Sequence, residues 1–216
     1  MATVTFILGE SGTGKSTSME NLDPTQTLLI QSIRKRLPFK STKWGYLTRE
    51  NTSGNVLCMD DARKIIDAMR RTRRPIIVID DAQYIMANAF MRRSEERGFD
   101  KFTEIGRDMW EIITAANDLP EHVRVYVLSH VETSDDGRTK MKTIGRMLDE
   151  KICLEGMVTI VLKTDVLDHD YRFVTQNNGR TTCKSPKGMF ESDSIPNDLA
   201  AVDNAICEFY DIHATA

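Results

Sequence analysis

Cysteine is scarce: Cys58, Cys153, Cys183 and Cys207 are the only 4 in 216 residues, and no two stand at metal-site spacing. The pattern gives no sign of a disulfide framework or a cysteine-held metal. It suits a reduced cytosolic setting with four ordinary small hydrophobes. No run of eighteen apolar residues occurs, so no membrane-spanning helix is expected. A basic-then-apolar leader is also missing, so no signal peptide is expected and a cytoplasmic location is. Large charge excess is missing too, since 29 Lys and Arg against 32 Asp and Glu leave −3. General affinity for nucleic acid does not follow from that balance, and any such contact must be local. Internal repeats, low-complexity linkers and long breaks in composition are absent, so one domain over residues 1–216 is the simplest partition. An apolar share of 40% is enough to build its core.

What is present starts near the first residue. The apolar run Val4-Thr5-Phe6-Ile7-Leu8 leads into Gly9-Glu10-Ser11-Gly12-Thr13-Gly14-Lys15-Ser16, which fits GxxxxGK[ST] without a mismatch. A triphosphate needs several donors aimed at one small volume. Backbone N–H groups of Gly12 to Ser16 supply them if the loop curls around the β-phosphate. Lys15 is expected to reach the β- and γ-phosphates, and Ser16 to ligate Mg²⁺, with Thr17 following in the cradle. A helix over roughly Lys15 to Glu20 would add the positive end of its dipole.

A second part of the site is expected at Pro75-Ile76-Ile77-Val78-Ile79, which ends in Asp80-Asp81. A continuous β-branched run reads as a buried parallel strand, and ligands bind outside the carboxyl ends of such strands. Asp80 then lands where Mg²⁺ sits, and Asp81 either polarises an attacking water or caps the following turn. A further strand, Val123 to Leu128, ends in Ser129-His130. A polar residue there is a candidate γ-phosphate sensor, with the choice between Ser129 and His130 open.

The rest of the chain alternates strands and helices. Thr27 to Ile30 reads as a strand, and Asp60 to Arg71 and Phe102 to about Asp118 as helices with one apolar face each. Asp81 to Gly98 is expected to be helical beside the site. The basic, aromatic-bearing stretch Gln31 to Gly54 reads either as a solvated connector or as a phosphate- or base-contacting segment. Arg138, Lys140, Lys142 and Arg146 form a local basic patch in the apolar-poor segment from Glu132 to Leu148, a candidate DNA contact or an ordinary surface loop. Met157 to Leu162 is a strand. Tyr171 to Gln176 and Arg180 to Cys183 look like a C-terminal hairpin turning at Asn177-Asn178-Gly179. Lys184 and Lys187 follow it, as surface lysines or as fingers entering a neighbour's nucleotide site. Leu199, Val202, Ile206 and Phe209 mark a last helix.

This arrangement resembles the RecA-like P-loop ATPases, through Gly9–Ser16, Ile76–Asp81 and the strand ending Ser129-His130. More narrowly it is similar to small phage-encoded ATP-binding proteins of recombination and single-strand annealing. That likeness rests on Leu148–Ile152, Thr175–Thr182, Lys184–Phe190 and Ile195–Leu199. The resemblance implies an α/β RecA-like P-loop NTPase core, with a mostly parallel central sheet, flanking helices and the C-terminal β-hairpin. It implies ATP and Mg²⁺ as ligands, a homo-oligomer, and single-stranded DNA and a single-strand binding protein as partners. Lys15 and Ser16 carry over as phosphate and Mg²⁺ contacts, and Asp80 as the second Mg²⁺ contact. RecA commonly uses a glutamate soon after the first helix as catalytic base. Here Glu20 lies on that helix, so the base is left between Glu50, after a strand expected around Tyr46–Arg49, and Asp81. The expected function is a Mg-dependent, DNA-stimulated ATPase assisting phage DNA recombination or annealing. A small-molecule or nucleoside kinase and a nucleotide-dependent interaction module are the alternatives.

Overall fold

A computed structural model describes residues 1–135 and 137–213. Six strands run parallel in one sheet. They are β1 (Thr3–Gly9), β2 (Thr27–Gln31), β3 (Val56–Cys58), β4 (Ile76–Asp80), β5 (Arg124–Thr133) and β7 (Ile160–Leu167). On the far side of β7, β8 (Asp170–Val174) and β9 (Ser194–Pro196) add antiparallel, giving the order β3-β2-β4-β5-β1-β7-β8-β9. A short β6 (Thr139–Met141) pairs only with the end of β5. The helices are α1 (Ala62–Arg71), α2 (Gln83–Arg92), α3 (Asp100–Asn117) and α4 (Leu199–Phe209). The α/β class and largely parallel sheet agree with the sequence reading. No helix among the described residues is long and apolar enough to cross a membrane.

Strand alternation divides the core in two. Val4, Phe6 and Leu8 of β1 join Ile77 and Ile79 of β4 and the apolar stripes of α1 and α3 on one face. Ile7, Val78, Tyr126 and Leu128 turn to the other face, where Val202 and Ile206 of α4 cover them. Helix starts follow from their caps. Asp61 accepts from the Lys64 N–H at the start of α1, and Asp198 accepts from Ala200 and Ala201 at the start of α4. α4 is also clamped to β5 from inside. Asp203 accepts from Arg124 Nε at 2.9 Å, from Arg124 Nη2 at 2.8 Å and from the Tyr126 hydroxyl at 2.5 Å. All three residues are buried.

Four local expectations change. The helix after the glycine-rich loop is a single 3₁₀ turn, Thr17–Met19, so no helix of useful length adds a dipole there. β5 does not stop at Ser129-His130. Its parallel pairing with β1 ends there, at Gly9 opposite His130, and the strand then continues to Thr133 by pairing with β6. The basic segment after it is therefore partly a hairpin. The C-terminal hairpin joins β7 to β8, not Tyr171–Gln176 to Arg180–Cys183. Its loop is Asp168-His169, both at positive φ (51° and 67°), the backbone of a two-residue turn that matches strand twist. Asn177 and Asn178 do turn the chain, through side-chain bonds to the N–H of Gly179 and Arg180. The chain then leaves β8 and pairs Thr181 with Thr139 and Lys184 with Val161 instead. Around Tyr46–Arg49 there is one bridge, Tyr46 to Val56, rather than a strand.

Candidate functional site

The carboxyl ends of β1, β4 and β5 open into a cleft of about 870 Å³. Its floor is the Gly9–Ser16 loop. Gly14 sits at φ 95°, and a Cβ there would stand 2.9 Å from both the Tyr171 ring and the Asn197 side-chain oxygen. Only glycine suits that backbone and that approach. Lys15 folds back under the loop. Its Nζ donates to the carbonyls of Gly9 at 2.8 Å and Glu10 at 2.6 Å. Burial disfavours its charge and pushes its pKa down to about 8, against the pull of Asp81 and Asp80.

β4 delivers the acidic pair. Ser16 Oγ donates to Asp80 Oδ1 at 2.8 Å, while Asp80 Oδ2 is buried and makes no hydrogen bond. Burial raises the Asp80 pKa. Asp81 adopts φ 58°, a left-handed backbone that turns its carboxylate away from α2. No side chain caps α2, so the capping alternative for Asp81 is not what the structure contains. Instead its carboxylate meets the Lys35 ammonium on one oxygen and His130 Nε2 at 3.6 Å on the other. Burial would raise its pKa, but the contacts with His130 and Lys35 outweigh burial and hold it at about 2. Lys35 also lies 3.5 Å from Asp80 Oδ2.

The strand β5 separates its two candidates by alternation. His130 reaches the cleft and packs edge-on against Tyr84, with centroids 5.9 Å apart. Ser129 points into the interior, fully buried with an unpartnered hydroxyl.

The Ser16 hydroxyl and the Asp80 carboxylate, whose Oδ2 makes no hydrogen bond and faces the Lys35 ammonium at 3.5 Å, form an oxygen donor set that fits a small hard cation. Such an ion takes one or two protein oxygens and fills the rest of its shell with phosphate and water. Among the described residues no group of three or more His, Cys, Asp or Glu forms a metal cage, so an ion here would depend on that outside supply.

Other sequence candidates fall elsewhere. Glu50 sits on an exposed loop outside the cleft, without the strand expected to carry it there. Lys140 pairs with Glu132 at 3.1 Å across the β5–β6 hairpin, and Arg146 with Glu150 at 3.8 Å. Arg138 directly precedes the return strand β6, and the Lys142 N–H bonds the His130 carbonyl at 2.9 Å. Lys184 is half-buried through its backbone pairing with Val161, and Lys187 is exposed; neither lines the cleft. Conversely, sequence reasoning did not single out Tyr84, Tyr171 and Asn197 as cleft residues, and it offered Lys35 only within the Gln31–Gly54 stretch as one of two readings. Lys35 carried a faint signal, as one of three consecutive basic residues just past the carboxyl end of β2. Tyr171 and Asn197 carried none, because only the pairing of β8 and β9 onto β7 brings them to Gly14.

A family model described as "AAA domain" matches residues 1–192. Among solved structures, the chain is similar to the genome packaging NTPase B204 from Sulfolobus turreted icosahedral virus 2, solved in complex with ATP-gammaS. Identity is 8% and the TM-score 0.40, over 77% of this chain and 76% of that one. No curated protein matches the sequence significantly.

Proposed function

The chain belongs to the AAA domain family, and from that premise we propose that it binds ATP with Mg²⁺ and hydrolyses it. One observation carries the reading. Lys15, a buried ammonium bonded to two loop carbonyls, lines the cleft together with Ser16, whose hydroxyl is bonded to the buried Asp80; the second oxygen of Asp80 makes no hydrogen bond and has the Lys35 ammonium 3.5 Å away. A Mg-triphosphate answers both. Lys15 would hold its phosphate oxygens in place of the two carbonyls, and Ser16 and Asp80 would hold its cation. The cation's chemistry is to neutralise charge on the β- and γ-oxygens.

In this reading the chain's own residues divide the work. Lys15 and the N–H groups of residues 12–16 hold the phosphates. Asp81 stays ionised at neutral pH, with a pKa of about 2. A base that weak orients a water better than it removes its proton. His130, against the same carboxylate, is the side chain of β5 placed to respond to the γ-phosphate. Lys35 neutralises the acidic pair Asp80 and Asp81, and it would have to release Asp80 for that carboxylate to hold a divalent cation.

We further propose that turnover is stimulated by single-stranded DNA, in a role in recombination or annealing of phage DNA, with copies of this chain assembled on the strand. Support comes from the hairpin that carries Arg138, Lys140 and Lys142. It continues the same strand as His130 and is bonded to His130 through the Lys142 N–H. A strand held by that hairpin is mechanically joined to the residue facing the γ-phosphate.

The test is ATP binding and phosphate release with Mg²⁺, with and without single-stranded DNA, for the natural chain, Lys15→Ala and the Arg138/Lys140/Lys142→Ala triple variant. Expected are binding and turnover that Lys15→Ala abolishes, and a triple variant that keeps its turnover without DNA but loses the response to DNA. No ATP binding by the natural chain overturns the nucleotide reading. A DNA response unchanged in the triple variant overturns the hairpin assignment. Phosphate appearing on an added nucleoside instead of in solution would make the protein a kinase.

A further inference from the structure

We propose that Tyr171 and Asn197 form the nucleobase subsite of the cleft and select adenine over guanine. The inference rests on the nucleotide reading of the Gly9–Ser16 loop and adds the end of the ligand that reading leaves unplaced.

The sheet order sets the direction of the ligand. β4 and β5, with Asp80, Asp81 and His130, lie on one side of β1; β7, β8 and β9 lie on the other. The terminal phosphate must face the acidic pair and its cation. The nucleoside then points to the opposite wall. That wall is made by the β7–β8 turn and by Asn197, which follows β9.

Two features of the wall suit a base. Tyr171, the second residue of β8, keeps 46% of its surface exposed while one ring edge rests at Gly14. An exposed aromatic face beside a phosphate loop is a stacking platform. Asn197 is tied to the same place, since its backbone N–H bonds the Tyr171 carbonyl at 3.2 Å. Its Nδ2 is buried and has no hydrogen-bond partner. Buried donors are normally satisfied, so this one calls for an acceptor from a ligand.

The chemistry of the amide names the base. Asparagine offers one donor group and one acceptor side by side. Adenine's N7 and N6 amino group present the matching acceptor and donor, whereas guanine's N7 and O6 present two acceptors. Asp170, the acidic residue of the wall, is engaged by Arg172 at 2.7 Å through Nε and 2.6 Å through Nη2, so its charge is compensated. His169 closes the turn on the same side.

The experiment compares equilibrium binding of ATP, GTP and inorganic tripolyphosphate, with Mg²⁺, to the natural chain and to Asn197→Ala, Tyr171→Ala and Tyr171→Phe. Thermal melts establish that each variant is folded. The natural chain is expected to prefer ATP to GTP by about tenfold or more, the discrimination of one good paired contact. Asn197→Ala should lose that preference while keeping its affinity for tripolyphosphate. Tyr171→Ala should weaken ATP and GTP alike, by about tenfold, and Tyr171→Phe should restore both. An unchanged ATP-to-GTP ratio in folded Asn197→Ala overturns the proposal, as does a parallel loss of tripolyphosphate binding. A natural chain that binds neither ATP nor tripolyphosphate overturns the nucleotide reading as well. One that binds ATP normally while the variants behave like it overturns only the subsite.

Discussion

Nucleotide binding should carry a proton with it above neutral pH, and the proton should belong to Lys15. In the free protein its ammonium is buried against two carbonyls, and desolvation pulls its pKa to about 8 from the ordinary 10.5. A bound triphosphate surrounds the same nitrogen with negative charge and returns the pKa to its ordinary range or above. Below about pH 7 Lys15 is charged in both states, and affinity should not depend on this group. Above 8 the free protein has shed the proton, and binding must recover it. At pH 9, one unit above the free value, affinity should stand about tenfold below its plateau, a penalty of about 1.4 kcal/mol. At pH 8 each nucleotide should take up about half a proton. Calorimetric titration in two buffers of different ionisation enthalpy reads that uptake directly. Lys15→Arg supplies the control, because a guanidinium stays charged across the range and should flatten the profile whatever its absolute affinity. A wild-type affinity that is level from pH 7 to 9.5, or a slope that survives in Lys15→Arg, refutes the reasoning. The same displacement has a folding side. The unfolded chain binds the extra proton between about pH 8 and 10.5, so the free protein should recover stability as pH rises through that window.

Asp203→Ala should strip the Arg124 guanidinium and the Tyr126 hydroxyl of their shared acceptor in the core, at a cost of about 4 kcal/mol. At this chain length that is a fall of about 8–16 °C in thermal midpoint. Replacing Asp203, Arg124 and Tyr126 together by Leu, Met and Phe should recover most of it, and a fall below about 3 °C in the single variant would sink the account. Asp168→Asn with His169→Gly should stabilise the chain by about 1 kcal/mol, since both residues hold positive φ and Asn-Gly suits that turn. An unchanged urea midpoint would count against it. Asp81 has a depressed pKa, so its contribution is complete above about pH 4 and disappears as pH falls towards about 2. It is worth about 2 kcal/mol. Urea unfolding at pH 4.5 and 2.5 should show the wild type losing more stability than Asp81→Asn, and equal losses would reject the assignment.

Legibility tracked the range of the interactions involved. The phosphate loop and the strand ending in Asp80-Asp81 could be read because each is a short run whose residue types answer one local demand. The stripes of α1, α3 and α4 were legible from period alone. Boundaries that depend on partners were not. Nothing within Val123–His130 says that β6 will return to extend β5; Asp168-His169-Asp170 is legible as a turn in the sequence, but nothing in Tyr171–Gln176 says that the strand it opens pairs back onto β7 and not onward past Asn177-Gly179. The Tyr171–Asn197 wall needs three strand pairings in the right register before it meets Gly14. Lys35 was visible as charge, but its contact with Asp81 joins the loop after β2 to the end of β4 across a pairing that only the fold supplies.

The two outermost strands bear on the proposal that copies of this chain assemble on DNA. β3 and β9 have three residues each, and β9 ends in Pro196, opposite Arg172. A ladder grows onto a free edge only where a run of N–H and C=O groups faces outward, and proline has no N–H to give. Neither border of this sheet offers a useful template. Copies gathered on a nucleic-acid strand would therefore have to adhere through side chains, so subunits could leave one at a time without unzipping a shared backbone ladder.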